Sequence, residues 1–343
     1  MSLKNTKDAV DRSVADQMES QHIPGLSLAV VRSGAVVRAG GYGLASLELD
    51  VQVTPESIFQ IGSITKQFTA TAIMMLVEEG KIGLEESVTH ALEGLPAAWE
   101  SVTVRHLLDH TSGIKSFTGI PDVMAHLTFL PTSRDEVLAL VAGEPLEFAP
   151  GEQFAYNNTG YYLLGHIIER ASGQPYGDFL QDRIFAPLKM GATRVNDMKD
   201  ILPDRACGYE WAEDKWRNAD HISMTWPFSA GALVSTVLDL AKWDAALGSK
   251  SLLPKSIWEK MWTPATLTDG TKADYGFGWV VSDYQGHPSV GHSGGIPGFM
   301  SHAERFPEDD LTVIVLTNVA PSDPAGIARG VAGHYVPDLQ PAA

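Results

Sequence analysis

Apolar residues recur at spacing four near the start of the chain, at Val10, Val14 and Met18, and this one-sided stripe predicts a helix over residues 1–22 that Pro24-Gly25 ends. Two β-rich runs follow, 26–32 and 35–42, separated by Ser33-Gly34. Glycine there supplies the positive φ that a tight hairpin turn requires. Thr54-Pro55-Glu56 and Gly62 punctuate the chain before Phe68, Ala72, Met75 and Leu76 set a 3.6-residue period, predicting a helix over 63–79 that stops at Gly80. Residues 80–225 read as helical and loop-rich with few strand signals. The predicted helices there are 104–110, with Thr103 as N-cap, 159–171 and 178–185. A helix is predicted over 235–247, and after Tyr275 the period changes to two. The strands expected there are 277–282, 289–292, 299–305 and the run LTVIVLTN at 311–318, followed by a helix over 324–335. Strands at both ends and helices between them predict an α+β chain. Residues 1–80 plus 226–343 would form a sheet domain, and 81–225 a mostly helical inserted domain, with the site at their interface.

The chain has 343 residues, 44% apolar and 20% charged, which suits a large core and about two domains and argues against disorder. Its formal net charge of −17 would repel both a phosphate backbone and an anionic membrane surface, which leaves a small molecule as the expected partner. The single cysteine, Cys207, excludes an intramolecular disulfide and any multi-cysteine metal site, and reads as a small buried hydrophobe. The first residues carry mixed charges without the apolar stretch of a signal peptide, and no run approaches the ~20 residues of a membrane span. The expectation is a soluble chain, cytoplasmic, or periplasmic or secreted if a leader has been removed. Its oligomeric state stays open. With no basic groove beside them, the 8 tryptophans read as core and cleft wall.

Three short segments carry candidate chemistry. In Ser63-Ile64-Thr65-Lys66, a serine and a lysine three residues apart share one helix face, with Cβ atoms about 5–6 Å apart. A helix N-terminus stabilises a developing alkoxide and weakens the lysine's hold on its proton, so a desolvated lysine there can act as a base toward serine. Tyr156-Asn157-Asn158 follows Pro150-Gly151 and precedes a helical pattern, so it projects from a tight loop. Tyr156 could exchange a proton with serine if a nearby cation lowers its pKa, and the Asn158 amide could bond both a lysine and a substrate carbonyl. Gly291-His292-Ser293-Gly294-Gly295 has two readings. As a G-x-S-x-G elbow it would need a helix after Ser293, where Ile296-Pro297-Gly298 stands instead. As a glycine-rich edge strand it would let backbone approach a ligand, with an N–H free for an oxyanion.

In this order and at these separations, S-x-x-K, Y-x-N and H-x-G resemble the serine β-lactamase and penicillin-binding-protein superfamily, in its class C-like branch with D-alanyl-D-alanine carboxypeptidases and family VIII esterases. The segments IPGLSLAVVRSG, VRHLLDHTSGI, APLKMGAT and GALVSTVLDLAKW are also similar to that family's, in the same order. The resemblance implies an antiparallel sheet flanked by helices plus an inserted all-α domain. It makes Ser63 the acylated nucleophile, with Lys66 and Tyr156 carrying its proton. Asn158, His292, Ser293, Gly294 and Gly295 would bind substrate, and the backbone N–H groups of Ser63 and Gly295 would form the oxyanion hole. It implies no metal and no organic cofactor. The implied function is hydrolysis of small acyl esters or amides, including β-lactams or D-amino-acid peptides. A true β-lactamase or DD-peptidase is the alternative, and a non-turnover penicillin sensor the second.

Two positions depart from the family pattern. His292 stands where β-lactamases carry the lysine of K-T-G, and a mostly neutral histidine holds a substrate carboxylate less well, so neutral esters or amides are expected to be preferred. Lys189 replaces a glycine common in its segment, which reads as structural. His106 and His110, spaced i, i+4, read as a structural pair near the cleft loop rather than metal ligands, and Glu308-Asp309-Asp310 as a solvated hairpin turn. The cleft walls are expected to come from loops such as 114–130.

Overall fold

The computed structural model describes residues 8–123, 128–247 and 251–341. The longest apolar runs form the middle of a seven-stranded sheet. Its order is Val51–Gln52, Ala35–Ser46, Gly25–Arg32, Leu311–Thr317, Phe299–Phe306, His287–Ile296, Val280–Tyr284. Every neighbouring pair is antiparallel. Gly25–Arg32, from the N-terminal part, lies beside Leu311–Thr317, from the C-terminal part, and both are buried on their two faces. That double burial explains why LTVIVLT shows no polar alternation.

Each face of the sheet is covered by helices. On one, Ala9–Ser20 and Pro324–Gly333 bring Val10, Val14, Ile327 and Val331 against Leu26, Leu28, Val313 and Val315. On the other, Thr65–Glu78 and Val237–Leu247 bring Phe68, Ile73 and Trp243 against Ala29, Val31, Ile314 and Leu316. The mixed helical and antiparallel-sheet class expected from the sequence is the class observed.

Several elements differ from expectation. The helix predicted over 63–79 starts at Thr65, because Gly62–Ile64 is a separate 3₁₀ turn. The strand predicted over 277–282 becomes Val280–Tyr284, since Gly278 takes a φ of +81° and Phe277 N bonds Met261 O instead of a strand partner. The middle segment holds strands that its sequence hid. Tyr209–Ala212 and Lys215–Asn218 form a hairpin whose turn, Glu213-Asp214, has both φ angles positive without the usual Asn-Gly signal. Cys207 is exposed rather than buried, because the extended chain alternates and it is Ala206 that faces inward. Five of the 8 tryptophans are buried, while Trp216 on the hairpin is 43% exposed. Lys189 sits at φ +58°, the backbone region that favours glycine, and its carbonyl accepts from Lys242 Nζ at 2.7 Å.

The nucleophile turn is seated on the sheet by two glycines. Gly62 has φ +49°, and a Cβ there would lie 2.7 Å from Gly295 N. A Cβ on Gly294 would lie 2.0 Å from Ile61 O, and Ser301 Oγ reaches the same carbonyl at 2.9 Å. Only glycines permit this approach, and it places the Ser63 turn against the strand. Gly294→Ala is therefore expected to force the turn off the strand, lowering stability by about 1–3 kcal/mol as measured by urea unfolding. An unchanged unfolding midpoint would show that the contact is slack.

Candidate active site

Ser63 lies in the 3₁₀ turn ahead of the helix Thr65–Glu78, so Lys66 falls in the first helical turn and on the serine's face. Lys66 is fully buried. Its Nζ lies 3.0 Å from Ser63 Oγ, 2.8 Å from Asn158 Oδ1 and 2.8 Å from the Ala230 carbonyl. The rings of Tyr156 and Tyr161 flank it at 4.8 and 5.4 Å. None of these contacts is a carboxylate. Burial with no compensating anion drives its pKa well below the ordinary lysine value. A neutral amine has two N–H bonds, and the two carbonyl oxygens can only accept them. The remaining lone pair is thereby aimed at Ser63 Oγ.

The helix Asn158–Ser172 starts where Asn157 caps it, its Oδ1 accepting from Gly160 N at 2.9 Å. Asn157 Nδ2 donates to the Ile114 carbonyl, and Asn158 Nδ2 to Thr118 Oγ1 at 3.2 Å, which turns Asn158 Oδ1 toward Lys66. Asn157 N donates to His110 Nδ1 at 3.0 Å. His110 is buried within 5.0 Å of the Tyr156, Tyr161 and Tyr275 rings, so it fixes the loop that carries Tyr156. His106 instead caps its own short helix, accepting from Thr103 N.

Tyr156 is 41% exposed at the cleft wall, but its phenol is packed against Ser63. Burial raises its pKa above the ordinary value, and the Ser63 hydroxyl offsets this only in part. The expected depression by a nearby cation is absent, because the nearest amine, Lys66, is itself biased toward its neutral form. Tyr156 therefore keeps its proton and is a donor.

His292 is buried, with Nε2 2.9 Å from Tyr275 Oη and Nδ1 2.5 Å from the Ser293 carbonyl. A carbonyl only accepts, so Nδ1 carries the hydrogen and Nε2 accepts from Tyr275. Burial above all pushes its pKa down to about 3, so it is neutral at physiological pH.

Gly291, Ser293, Gly294 and Gly295 lie inside the strand His287–Ile296, which leads through a turn to another strand, so the nucleophile-elbow reading fails for want of a helix. Val280–Tyr284 pairs with this strand only as far as Gly291, leaving its edge unpaired on that side where Gly295 meets the Ser63 turn. Ser293 Oγ lies 2.8 Å from His302 Nδ1. Beside Ser63 and Asn158 a cavity of about 210 Å³ is lined by Phe117, Thr118, Ile222, Trp226, Ile296 and Pro297. No charged side chain lines it among the described residues. Phe117, Thr118 and Thr128 of the expected wall 114–130 contribute, and residues 124–127 of that loop lie outside the described residues.

Ala230 and Tyr275 were not foreseen as parts of this arrangement, whereas His110 was read as a structural histidine near the cleft loop, and it holds the Tyr156 loop. A backbone carbonyl leaves no sequence signal, and Tyr275 marked only the point after which the hydrophobic period changes to two. No helix among the described residues is long and apolar enough to cross a membrane.

A serine beside a buried lysine, a tyrosine-asparagine loop and an open glycine edge are the parts from which an acyl-transfer site is built. The family model for Beta-lactamase matches residues 10–335, and the chain belongs to that family. Penicillin-binding protein 4* of Bacillus subtilis is 30% identical over 92% of this chain and 73% of its own length. The structure of an octameric penicillin-binding protein homologue from Pyrococcus abyssi superposes with a TM-score of 0.84 at 33% identity, over 96% of this chain and 77% of that one. A D-amino acid amidase from Ochrobactrum anthropi SV3, complexed with L-phenylalanine amide, gives 0.79 at 28% identity, over 97% of both chains. Of several other curated relatives the chain spans only 56% to 64% of the length.

The buried amine has a consequence for stability. The Lys66 pKa lies below 10.5 in the folded chain, so between those two pH values the unfolded chain binds more protons and stability falls as pH drops. Lys66→Met removes this dependence. Relative to wild type, its unfolding free energy is expected to improve as the pH is lowered from about 10, by at most about 1.4 kcal/mol per pH unit. A pH-independent difference in urea unfolding would contradict a depressed lysine.

Proposed function

We propose that the chain is a serine hydrolase of neutral acyl esters or amides that works through an acyl-enzyme on Ser63. The observation that carries this reading is the fully buried Lys66 amine, 3.0 Å from Ser63 Oγ and without a carboxylate partner. In the scheme, Ser63 Oγ bonds to the substrate carbonyl carbon while its proton passes to Lys66. The backbone N–H groups of Ser63 and Gly295 hold the oxyanion, each typically worth about 10²–10³ in rate. When the intermediate collapses, Tyr156 gives its proton to the leaving group and regains one from Lys66. Water then attacks the acyl-enzyme, and its proton leaves along the same groups. Asn158 holds the lysine and contacts the substrate. On this reading residues 1–80 plus 226–343 act as one unit and 81–225 as a second, with the reacting serine where they meet.

Two features support a neutral substrate: the cavity lining carries no charge among the described residues, and His292 is locked neutral. A carboxylate-bearing β-lactam would meet no cation at that position. The amide-processing neighbour extends the proposal to amides. A fluorophosphonate is expected to add one adduct at Ser63 that Ser63→Ala lacks, and kcat/KM on a short p-nitrophenyl ester is expected to exceed that on a cephalosporin. No adduct on Ser63 defeats the scheme, while equal or faster cephalosporin turnover defeats the substrate preference alone.

A further inference from the structure

Two side-chain amides that the acyl-transfer scheme leaves unused point from one face of a small sheet next to the Ser63 turn. Phe59–Gln60, Leu233–Ser235 and Arg194–Val195 are its three strands. Gln60 and Arg194 both pair with Val234, from opposite sides, so these side chains share a face and the outer two strands lie about 10 Å apart. Asn196 N bonds the Ala232 carbonyl at 2.8 Å and continues the pairing, which brings its side chain to the same face. Asn196 is 3% exposed and donates from Nδ2 to Met198 Sδ at 3.4 Å. Its Oδ1 and Gln60 Oε1 are both buried with no hydrogen-bond partner among the described residues. A buried acceptor left empty is costly, and a ligand that donates to it removes the cost.

Both acceptors face cavities that continue from the acyl site. Tyr156, the donor to the leaving group in the scheme, does not line the cavity beside Ser63 and Asn158, so the acyl group is what that cavity takes. Ile222 and Pro297 are half-buried and line both that cavity and a second one of about 160 Å³, where Gln60 and Asp220 stand. Met198, His221 and Met224 line the second and also a third, of about 460 Å³, in which Asn196 lies among Phe129, Pro131 and Phe228. The segment 219–225 borders all three. It is tied down by Ser223 N on the Thr128 carbonyl at 2.7 Å and by Thr225 Oγ1, which accepts from Thr132 N at 2.8 Å. From Ser63 outward the groove is apolar, then lined by the acceptors of Gln60 and Asp220, then apolar around Asn196.

The reach is short. Gln60 lies three residues before Ser63, at most about 10 Å along the backbone, and an extended chain covers about 3.5 Å per three bonds. A six-carbon acyl chain therefore brings a substituent on its last carbon to the second cavity. We propose that this groove is a distal acyl subsite, in which Gln60 is the specificity-determining acceptor for acyl chains that carry a hydroxyl or amide N–H about six atoms beyond the carbonyl. Asn196 is the next acceptor, for longer chains. The proposal rests on acyl transfer at Ser63.

The test follows phenol release at pH 7 from four phenyl esters, with the uncatalysed rate subtracted. One pair is 6-acetamidohexanoyl and 6-acetoxyhexanoyl, the other N-acetylglycyl and acetoxyacetyl. Within each pair only an N–H is exchanged for an oxygen, and comparing variants on the same pair cancels intrinsic reactivity. In Gln60→Leu the acetamido-to-acetoxy ratio of kcat/KM is expected to fall roughly three- to tenfold for the six-carbon pair, the worth of one hydrogen bond. The two-carbon ratio should hold, because that N–H does not reach past the first cavity. Gln60→Glu keeps an acceptor oxygen and should keep the six-carbon ratio. Ala219→Phe, which fills the second cavity, should slow both six-carbon esters relative to the two-carbon pair. A six-carbon ratio unchanged in Gln60→Leu would leave that amide to water and overturn the subsite while Ser63 chemistry stands. So would equal losses on both pairs, the mark of a structural role for Gln60, or six-carbon esters untouched by Ala219→Phe. Phenol release that Ser63→Ala retains, or none from any ester with the wild-type protein, overturns both readings.

Discussion

Burying a lysine amine with no anion beside it is the constraint on which the rest of the site depends. Taking a charged amine out of water is costly, and the fold answers by favouring the neutral form rather than by supplying a carboxylate. The Asn158 oxygen and the Ala230 carbonyl, 92 and 164 residues away along the chain, then occupy both N–H bonds. The same burial that makes a charged Lys66 give up its proton leaves the neutral amine free to accept one from Ser63. It also removes the positive charge that could have depressed the pKa of Tyr156. The site is polar, and no charged side chain lines its cavity among the described residues.

Holding such an amine demands a rigid surround, and each wall is fixed by a different device. The Tyr156 loop is pinned by His110 and by the Asn157 cap. The Ser63 turn is pinned by the glycines at 62 and 294, which let two backbones meet at distances no side chain would permit. The strand carrying Gly295 is stiffened by its antiparallel neighbours and, on its far face, by buried Glu304, which a partly exposed Arg329 holds. The sheet assembled from both ends of the chain is thereby a positioning frame as well as a core.

Much of this was legible in the sequence because it is local. The spacing of Ser63 and Lys66, the loop before the helix Asn158–Ser172 and the continuous run LTVIVLT each report their own geometry. What was hidden is long-range or backbone in origin. Nothing in the residue type at 230 announces that its carbonyl receives the lysine. The hairpin at Glu213-Asp214 lacks the glycine that would have marked it, and the outward turn of Cys207 depends on a strand parity set elsewhere. The condition set for Tyr156, a nearby cation, could not be checked from sequence, since it depends on the charge of a neighbour that folding biases toward its neutral form. The Ser293–His302 contact could not be read at all without knowing that the two lie opposite each other on paired strands.

The measurement closest to the central claim is the titration of the lysine side chains by ¹³C NMR, with Lys66→Met used to assign the resonance. One ε-carbon signal that is missing from the variant should titrate well below the ordinary lysine range near 10.5. A Lys66 resonance that titrates with the other lysines would mean that the buried amine is charged at working pH, and the account of Ser63 activation would fail.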